Sequence, residues 1–139
     1  MERKKILFLC TGNSCRSQMA EGFANQTGWE AFSAGTKPEI EVNPFAVKVM
    51  AEIGIDILHQ IPQSVNEFLN EDFELVATVC DNAQKSCSVF TGNYEHIIHH
   101  GFPDPAYATG SDYEITEVYR QVRDAIQIWL TELRKFKFL

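Results

Sequence analysis

The chain lacks the features that mark membrane proteins and nucleic-acid-binding proteins. No segment approaches the ~20 consecutive apolar residues of a membrane-spanning helix, and no polybasic patch offers a surface anchor. Its 12 Lys and Arg face 19 Asp and Glu, which gives a formal charge of −7. Because nucleic acids are bound through clustered cations, we expect neither a membrane nor a nucleic acid as partner. An anionic substrate would have to be attracted by local groups.

The four cysteines also lack the close pairing that is usual in structural zinc sites. The apolar stretch at the N-terminus stops at Cys10 and is followed by polar residues rather than by a small-residue cleavage site. We therefore predict no signal peptide and a cytoplasmic location. Persistent structural disulfides are not expected in a reducing compartment, so reactive or redox roles become the natural interpretation of the thiols.

Strand signals and helix signals alternate along the chain, and 139 residues suffice for one hydrophobic core, so we predict a single domain over 1–139. Short apolar runs predict strands at 5–10, 29–33, 73–80 and 94–98. Helical spacing predicts helices at 15–25, 44–53 and 112–135, with a weaker one at 64–69. This order is typical of an α/β fold, a three-layer sandwich in which helices flank a four-stranded parallel sheet.

Ligands of such sheets bind at the carboxyl ends of the strands, where the segment from Cys10 to Ser17 joins the first strand to the first helix. Five residues separate Cys10 from Arg16, so the loop amides can converge on one anion while the Arg16 fork meets two of its oxygens. Thiols beside cations at helix N-termini have depressed pKa values. We therefore predict that Cys10 attacks as a thiolate, with the Ser17 hydroxyl donating to it and Asn13 in a left-handed conformation.

The oxyanion would be bound by the loop itself. The residues predicted to line this site are Thr11, Gly12, Asn13, Ser14, Cys15 and Arg16. The side chain of Cys15 is expected to pack into the core. The alternative is a buried Cys10 followed by an ordinary turn, but the position between a strand and a helix favours the functional interpretation. Asp104 lies between two prolines that would hold its carboxylate in place for proton transfer.

The loop CTGNSCRSQMAEG resembles the phosphate-binding loop of low-molecular-weight protein tyrosine phosphatases and of the arsenate reductases that share their fold. The similarity extends to Phe32-Ser-Ala-Gly35, Asn43-Pro44, Gly54-Ile-Asp56 and Asp104-Pro105. The segment TVCDNAQKSC, which ends at Cys87, resembles the redox segment of thioredoxin-coupled arsenate reductases.

This resemblance implies a three-thiol relay. Cys10 would attack arsenic, Cys80 would then attack Cys10 and expel arsenite, and Cys87 would resolve the bridge into a Cys80–Cys87 disulfide. Asp104 would serve as general acid. Thioredoxin, or a glutaredoxin–glutathione couple, would act as external reductant. No bound cofactor is expected, and we expect a monomer.

Two other functions stay open. One is a low-molecular-weight phosphatase in which Cys80 and Cys87 only protect Cys10. The other is a non-enzymatic oxyanion or redox sensor, which would need no general acid such as Asp104. Phosphatases of this fold place aromatic residues beside the acid, whereas here Ala106 precedes Tyr107. The less enclosed slot favours a small inorganic anion.

No metal is predicted. Some related arsenate reductases hold a potassium ion through groups that match Asn13, Glu21 and Ser33, but the acidic residue expected near position 63 is replaced by Gln63. We interpret Glu21 as a structural partner of the loop. His96, His99 and His100 are interpreted as solvated or packing side chains, because a strand followed by a turn would scatter them.

Overall fold

Four strands and three α-helices lie within residues 3–80 and 90–135, which the computed structural model describes. The strands are β1 (Lys5–Cys10), β2 (Glu30–Gly35), β3 (Asp72–Cys80) and β4 (Asn93–Phe102). The α-helices are α1 (Arg16–Gln26), α2 (Pro44–Glu52) and α3 (Asp112–Lys135). Two short 3-10 helices cover Val65–Phe68 and Pro105–Tyr107.

The sheet is parallel throughout, with strand order β2-β1-β3-β4. The apolar run of β1 lies in its middle, and Leu7 pairs with Phe32 of β2 and with Val76 of β3. Continuous apolar strands are expected where a parallel sheet is covered on both faces. The predicted α/β fold with a four-stranded parallel sheet is confirmed, and the strands that end at Cys10 and Cys80 are neighbours.

The three α-helices contact one another, and α1 and α3 also contact strands of the sheet on the face that carries Phe8. On this face the ring of Phe8 meets that of Trp129 of α3 edge to face, with 6.2 Å between centroids. Gly22 allows α1 to pack closely, because a Cβ atom there would lie 2.7 Å from Cγ2 of Ile57. The opposite face carries Phe32, whose ring lies 5.7 Å from that of Phe68 in the first 3-10 helix.

The start of α2 follows the prediction from sequence. Asn43 is the N-cap, and its side chain accepts a hydrogen bond of 2.9 Å from the backbone N–H of Phe45. Pro44 occupies the first helical position, where its missing N–H has no cost. Gly54 follows the helix with a φ of 83°, a left-handed conformation that suits glycine.

Strand β4 is longer than its apolar pattern predicts, because it continues past position 98 to Phe102. Pairing with β3 maintains the strand: Thr78 pairs with His99, and Cys80 pairs with Phe102. The prediction of a turn among the histidines is therefore wrong. Most of this edge strand is exposed, so polar side chains are tolerated and its apolar signal fades. His99 Nδ1 lies 2.7 Å from the hydroxyl of Thr78.

The longest helix, α3, has 24 residues and carries charged groups along its outer side. Across residues 3–80 and 90–135, no helix combines the length and the apolar character needed to cross a membrane.

A charged cluster joins the end of α2 to α3. Glu52 accepts hydrogen bonds of 2.7 Å from Arg120 and 2.9 Å from Arg123. The same Nη1 of Arg123 also donates to the carbonyl of Val49 at 2.9 Å, and Arg123 is buried. The two guanidinium groups lower the pKa of Glu52 to about 2. This cluster fixes the position of α2 against α3.

We expect Glu52→Gln to lower the free energy of unfolding by about 1 kcal/mol at pH 7, because it removes the charge partner of two arginines. A carboxyl whose pKa is held near 2 stabilises the fold above its ordinary value of 4.5 and loses that contribution as the pH falls towards 2. The difference from the unsubstituted protein should therefore narrow below pH 4.5. Urea unfolding at pH 7, 4 and 3 measures it.

The matched control is Glu132→Gln, which makes the same charge change at an exposed position of α3. It should leave stability almost unchanged. An equal loss in both variants, or a difference that does not depend on pH, would contradict the role assigned to Glu52.

Candidate active site

The β1–α1 loop (residues 10–16) crosses the carboxyl edge of the sheet, and its carbonyl groups point away from a central cavity. Four of them accept hydrogen bonds from backbone N–H groups of a bracing segment, residues 36–43. The bonds are Thr36 N to Cys10 O (3.3 Å), Lys37 N to Thr11 O (2.9 Å), Glu39 N to Gly12 O (2.9 Å) and Asn43 N to Ser14 O (2.9 Å). The carbonyl of Asn13 accepts from Nε2 of Gln18 at 3.0 Å.

The direction of the carbonyls sets the direction of the amides. A trans peptide places each C=O and the following N–H on opposite sides. Carbonyls held by the bracing segment therefore turn the next N–H groups toward the cavity, which has a volume of about 490 Å³. The first turn of α1 adds its own amides and the positive end of its dipole. This geometry is suited to a small anion.

Asn13 holds the middle of the loop in a left-handed conformation, with a φ of 52°. Its Nδ2 donates to the hydroxyl of Ser17 at 2.8 Å and to that of Ser33 at 2.9 Å. Its Oδ1 accepts from the backbone N–H of Gln63 at 2.8 Å. The predicted conformation of Asn13 is confirmed, and three hydrogen bonds offset its cost.

Gly35, at the end of β2, permits the loop to lie where it does. A Cβ atom at this position would collide with the carbonyl oxygen of Thr11. The glycine of the segment Phe32-Ser-Ala-Gly35 is thus required by the close approach of two backbones.

Cys10 closes β1 and lines the cavity, with only 3% of its surface exposed. Ser17 is fully buried in the first turn of α1. Because its oxygen accepts from Asn13, its hydroxyl hydrogen can serve a different acceptor. This arrangement suits the predicted donation to a Cys10 thiolate, which itself stays a prediction.

Arg16 begins α1 and is 7% exposed. Its Nη1 donates to the carbonyl of Phe102 at 3.0 Å, and its Nη2 lies 3.1 Å from Oδ2 of Asp104. Its Nε is buried and has no hydrogen-bond partner in the described part of the chain. A buried donor without a partner costs free energy. An oxyanion in the cavity would supply the missing acceptor.

Both carboxylate oxygens of Asp104 are held by contacts, in agreement with the prediction that this carboxylate is fixed in place. Oδ1 caps the second 3-10 helix by accepting from the N–H of Ala106 at 3.0 Å, while Oδ2 meets Arg16. The carboxylate thereby lines the same cavity as Cys10. Its use as a general acid remains a prediction.

Cys15 differs from Cys10 although both belong to the loop. Its sulfur lies 3.5 Å from the hydroxyl of Tyr119 on α3 and 3.6 Å from that of Ser14. Burial raises the pKa of the Cys15 thiol more than these contacts lower it. Its predicted packing in the core is confirmed.

Glu21 joins the loop through its neighbours rather than directly. The hydroxyl of Ser33 donates to Oε1 of Glu21 at 2.7 Å and itself accepts from Asn13. Burial raises the pKa of Glu21 to about 7. The interpretation of Glu21 as a structural partner of the loop is confirmed. Within residues 3–80 and 90–135, no group of three or more His, Cys, Asp or Glu is arranged to hold a metal ion.

Sequence reasoning missed three residues of the site. Lys37 and Glu39 of the bracing segment line the cavity, but residues 36–43 carry no strand or helix signal that would have placed them there. Tyr119 contacts Cys15 from the buried side of α3. A tyrosine hydroxyl on the apolar side of this helix was the signal in the sequence that could have identified it.

Two further thiols, Cys80 and Cys87, were predicted for the site. Cys80 ends β3 beside β1, at the level of Phe102. Cys87 lies outside the described residues. At the rim of the cavity Tyr107 is 82% exposed, so it forms no closed slot with Ala106.

Comparison with known proteins agrees with this geometry. The arsenate reductase of Halalkalibacterium halodurans is 47% identical over 129 residues, which cover 91% of this chain and 91% of that relative. Two solved structures are described as an arsenate reductase in the phosphate binding state and in the oxidized state. Their TM-scores are 0.76 and 0.78 at 33% and 30% identity, and each alignment covers 94% of this chain and 95% of the other.

A family model also spans nearly the whole chain. The model described as low molecular weight phosphotyrosine protein phosphatase matches residues 5–137, which include the β1–α1 loop, the bracing segment and Asp104. The resemblance seen in the sequence is thereby confirmed, and the chain belongs to the low molecular weight phosphotyrosine protein phosphatase family, alongside proteins named arsenate reductases.

Proposed function

We propose that this protein reduces arsenate to arsenite by a Cys10–Cys80–Cys87 relay and is recycled by thioredoxin or a similar thiol protein. The observation that carries the proposal is the cavity in which Cys10 faces the loop amides and the unsatisfied Nε of Arg16. This site has the size and donors for a tetrahedral oxyanion. The relatives named arsenate reductases indicate which oxyanion.

In the first step the Cys10 thiolate attacks arsenic, and one arsenate oxygen leaves as water. Asp104 supplies a proton to that leaving oxygen, while Arg16 and the loop amides bind the remaining oxygens. The product is a covalent adduct with a Cys10–arsenic bond, in which arsenic is still pentavalent.

Reduction takes place in the second step. The Cys80 thiolate attacks the sulfur of Cys10, the sulfur–arsenic bond breaks, and its electron pair stays on arsenic, which leaves as arsenite. Cys87 then attacks the sulfur of Cys80 and releases the Cys10 thiolate. The two electrons that arsenic gains thus come from the thiolates of Cys80 and Cys87, which end as a disulfide that an external dithiol reduces. The adjacency of β1 and β3 supports this order, because both strands deliver their cysteines to one edge of the sheet.

Phosphatase activity is the second candidate, because the family description and the position of Asp104 suit hydrolysis of a phosphate ester. In that reaction water, rather than Cys80, would attack the Cys10 adduct. A sensor that binds an oxyanion without turnover is the third. We also propose that the protein is a monomer and that it is located in the cytoplasm.

We expect Cys10→Ser to lower arsenate reduction by a factor of about a thousand or more, since a hydroxyl is a far weaker nucleophile at neutral pH. Phosphate should still bind within about threefold of the unsubstituted affinity, because the amides that hold it are unchanged. Arsenite release and phosphate titration by calorimetry measure the two effects. Reduction that survives the substitution would contradict the assignment of the nucleophile.

The relay is tested by Cys87→Ser in the presence of thioredoxin and its reductase. We expect one arsenite per protein molecule and then arrest, because the Cys10–Cys80 bridge forms but is not resolved. Cys80→Ser should release no arsenite at all. Quenched-flow arsenite counts and mass spectrometry of the trapped bridge measure these outcomes.

Cys15→Ser is the matched control, because it removes a cysteine but keeps all three thiols of the relay. Whatever its rate, it should not stop after one arsenite per protein molecule, and its unfolding temperature should be lower because a buried thiol is lost. Steady turnover by Cys87→Ser would rule out the relay. Rapid hydrolysis of aryl phosphates without consumption of reductant would instead favour the phosphatase.

A further inference from the structure

The charges around the cavity are nearly balanced, which is unexpected for a site that binds an anion. Two cations, Arg16 and Lys37, and two carboxylates, Glu39 and Asp104, line it. The guanidinium of Arg16 already faces Asp104 at 3.1 Å. Much of its charge is therefore offset before an oxyanion arrives.

Lys37 is the cation whose charge remains. Its backbone N–H is fixed by the carbonyl of Thr11 at 2.9 Å, so the residue is anchored directly beside the loop. Its side chain is exposed and forms no salt bridge with any group in residues 3–80 or 90–135.

Glu39 lies two residues further on and carries the opposite charge to Lys37. Its N–H is bound by the carbonyl of Gly12 at 2.9 Å, and its Cγ would lie 3.2 Å from a Cβ atom on Gly12. The side chain of Glu39 thus lies over the glycine that precedes Asn13, at the cavity wall. Lys37 and Glu39 form no salt bridge with each other among the described contacts, so neither charge cancels the other by direct contact.

We propose that Lys37 and Glu39 form a rim pair that sets the affinity of the site for oxyanions, with Lys37 attracting the anion and Glu39 opposing it. The proposal rests on the oxyanion site proposed above. In a chain of charge −7 the long-range field repels an anion, so a local cation at the mouth has a large relative effect. Neither residue touches the reacting bonds, and both act on the affinity of the site for its oxyanion.

Substitutions at the rim test this proposal, with inorganic phosphate as the binding probe and arsenate as the substrate. At low salt, Lys37→Gln should raise the phosphate Kd and the arsenate KM about threefold to tenfold, while kcat changes little. Glu39→Gln should have the opposite sign and lower both constants about twofold to threefold. In 1 M salt the differences should shrink below about twofold, because the screening length falls to about 3 Å.

Two controls separate a local effect from net charge. Lys48→Gln on α2 and Glu132→Gln on α3 make the same charge changes at exposed positions that do not line the cavity. Both should shift the phosphate Kd clearly less than the rim substitutions do, since solvent and salt screen exposed charges that do not line the cavity. Equal shifts in Lys37→Gln and Lys48→Gln would overturn the proposal.

The sign of Glu39→Gln is the sharper criterion. A residue that only braces the loop would weaken phosphate binding when it is altered, whereas an opposing charge strengthens binding when it is removed. Weaker binding in Glu39→Gln therefore overturns the proposal. An unsubstituted protein that binds phosphate but reduces no arsenate would overturn the proposed function alone, because the rim pair is still measured by phosphate affinity.

Discussion

The hydrogen bonds between the β1–α1 loop and the bracing segment determine how the rest of the site is built. Each bond uses a loop carbonyl and so turns the following N–H inward. Without them the loop would present a mixture of carbonyls and amides to the cavity, and an anion would meet repulsion as well as attraction. The bracing segment has no regular secondary structure. Its N–H groups nevertheless determine that the loop presents amides, and not carbonyls, to the cavity.

The same constraint explains residues that support the loop and take no part in the proposed reaction. Asn13 can reverse the chain only in a left-handed conformation, and its side chain is held by Ser17, Ser33 and Gln63. Gly35 is required because the carbonyl of Thr11 passes where a side chain would otherwise be. The sheet edge, the helix start and the bracing segment are thus connected through one short loop.

Much of the fold and the centre of the site were predictable from the sequence because their signals are local. The apolar run that ends at Cys10, the Asn43-Pro44 cap and the spacing of Cys10 and Arg16 each reflect contacts within a few residues. The extension of β4 to Phe102 was not predictable, because pairing with β3 rather than its own pattern maintains it. Lys37 and Glu39 were missed for the same reason, since only the folded loop brings them to the cavity.

The hydrogen-bond partners of Arg16 could not be predicted from the sequence either. Its sequence position predicts a guanidinium that meets an anion, but not that the carbonyl of Phe102 and Asp104 occupy two of its nitrogens. Those partners come from β4 and the segment after it, far along the chain. They orient the guanidinium so that Nε is the nitrogen left without an acceptor.

Two cysteines of the same loop have different environments, which supports the proposal that only Cys10 is the nucleophile. Cys10 and Cys15 have the same thiol, and both are almost completely buried. The sulfur of Cys15 lies beside the hydroxyl of Tyr119, and burial raises the pKa of its thiol. Cys10 instead lies at the wall of a cavity that Arg16 and the loop amides make favourable for negative charge. In the proposed function, the same donors would stabilise a negative sulfur and a negative oxyanion, so the site that binds the substrate would also activate its nucleophile.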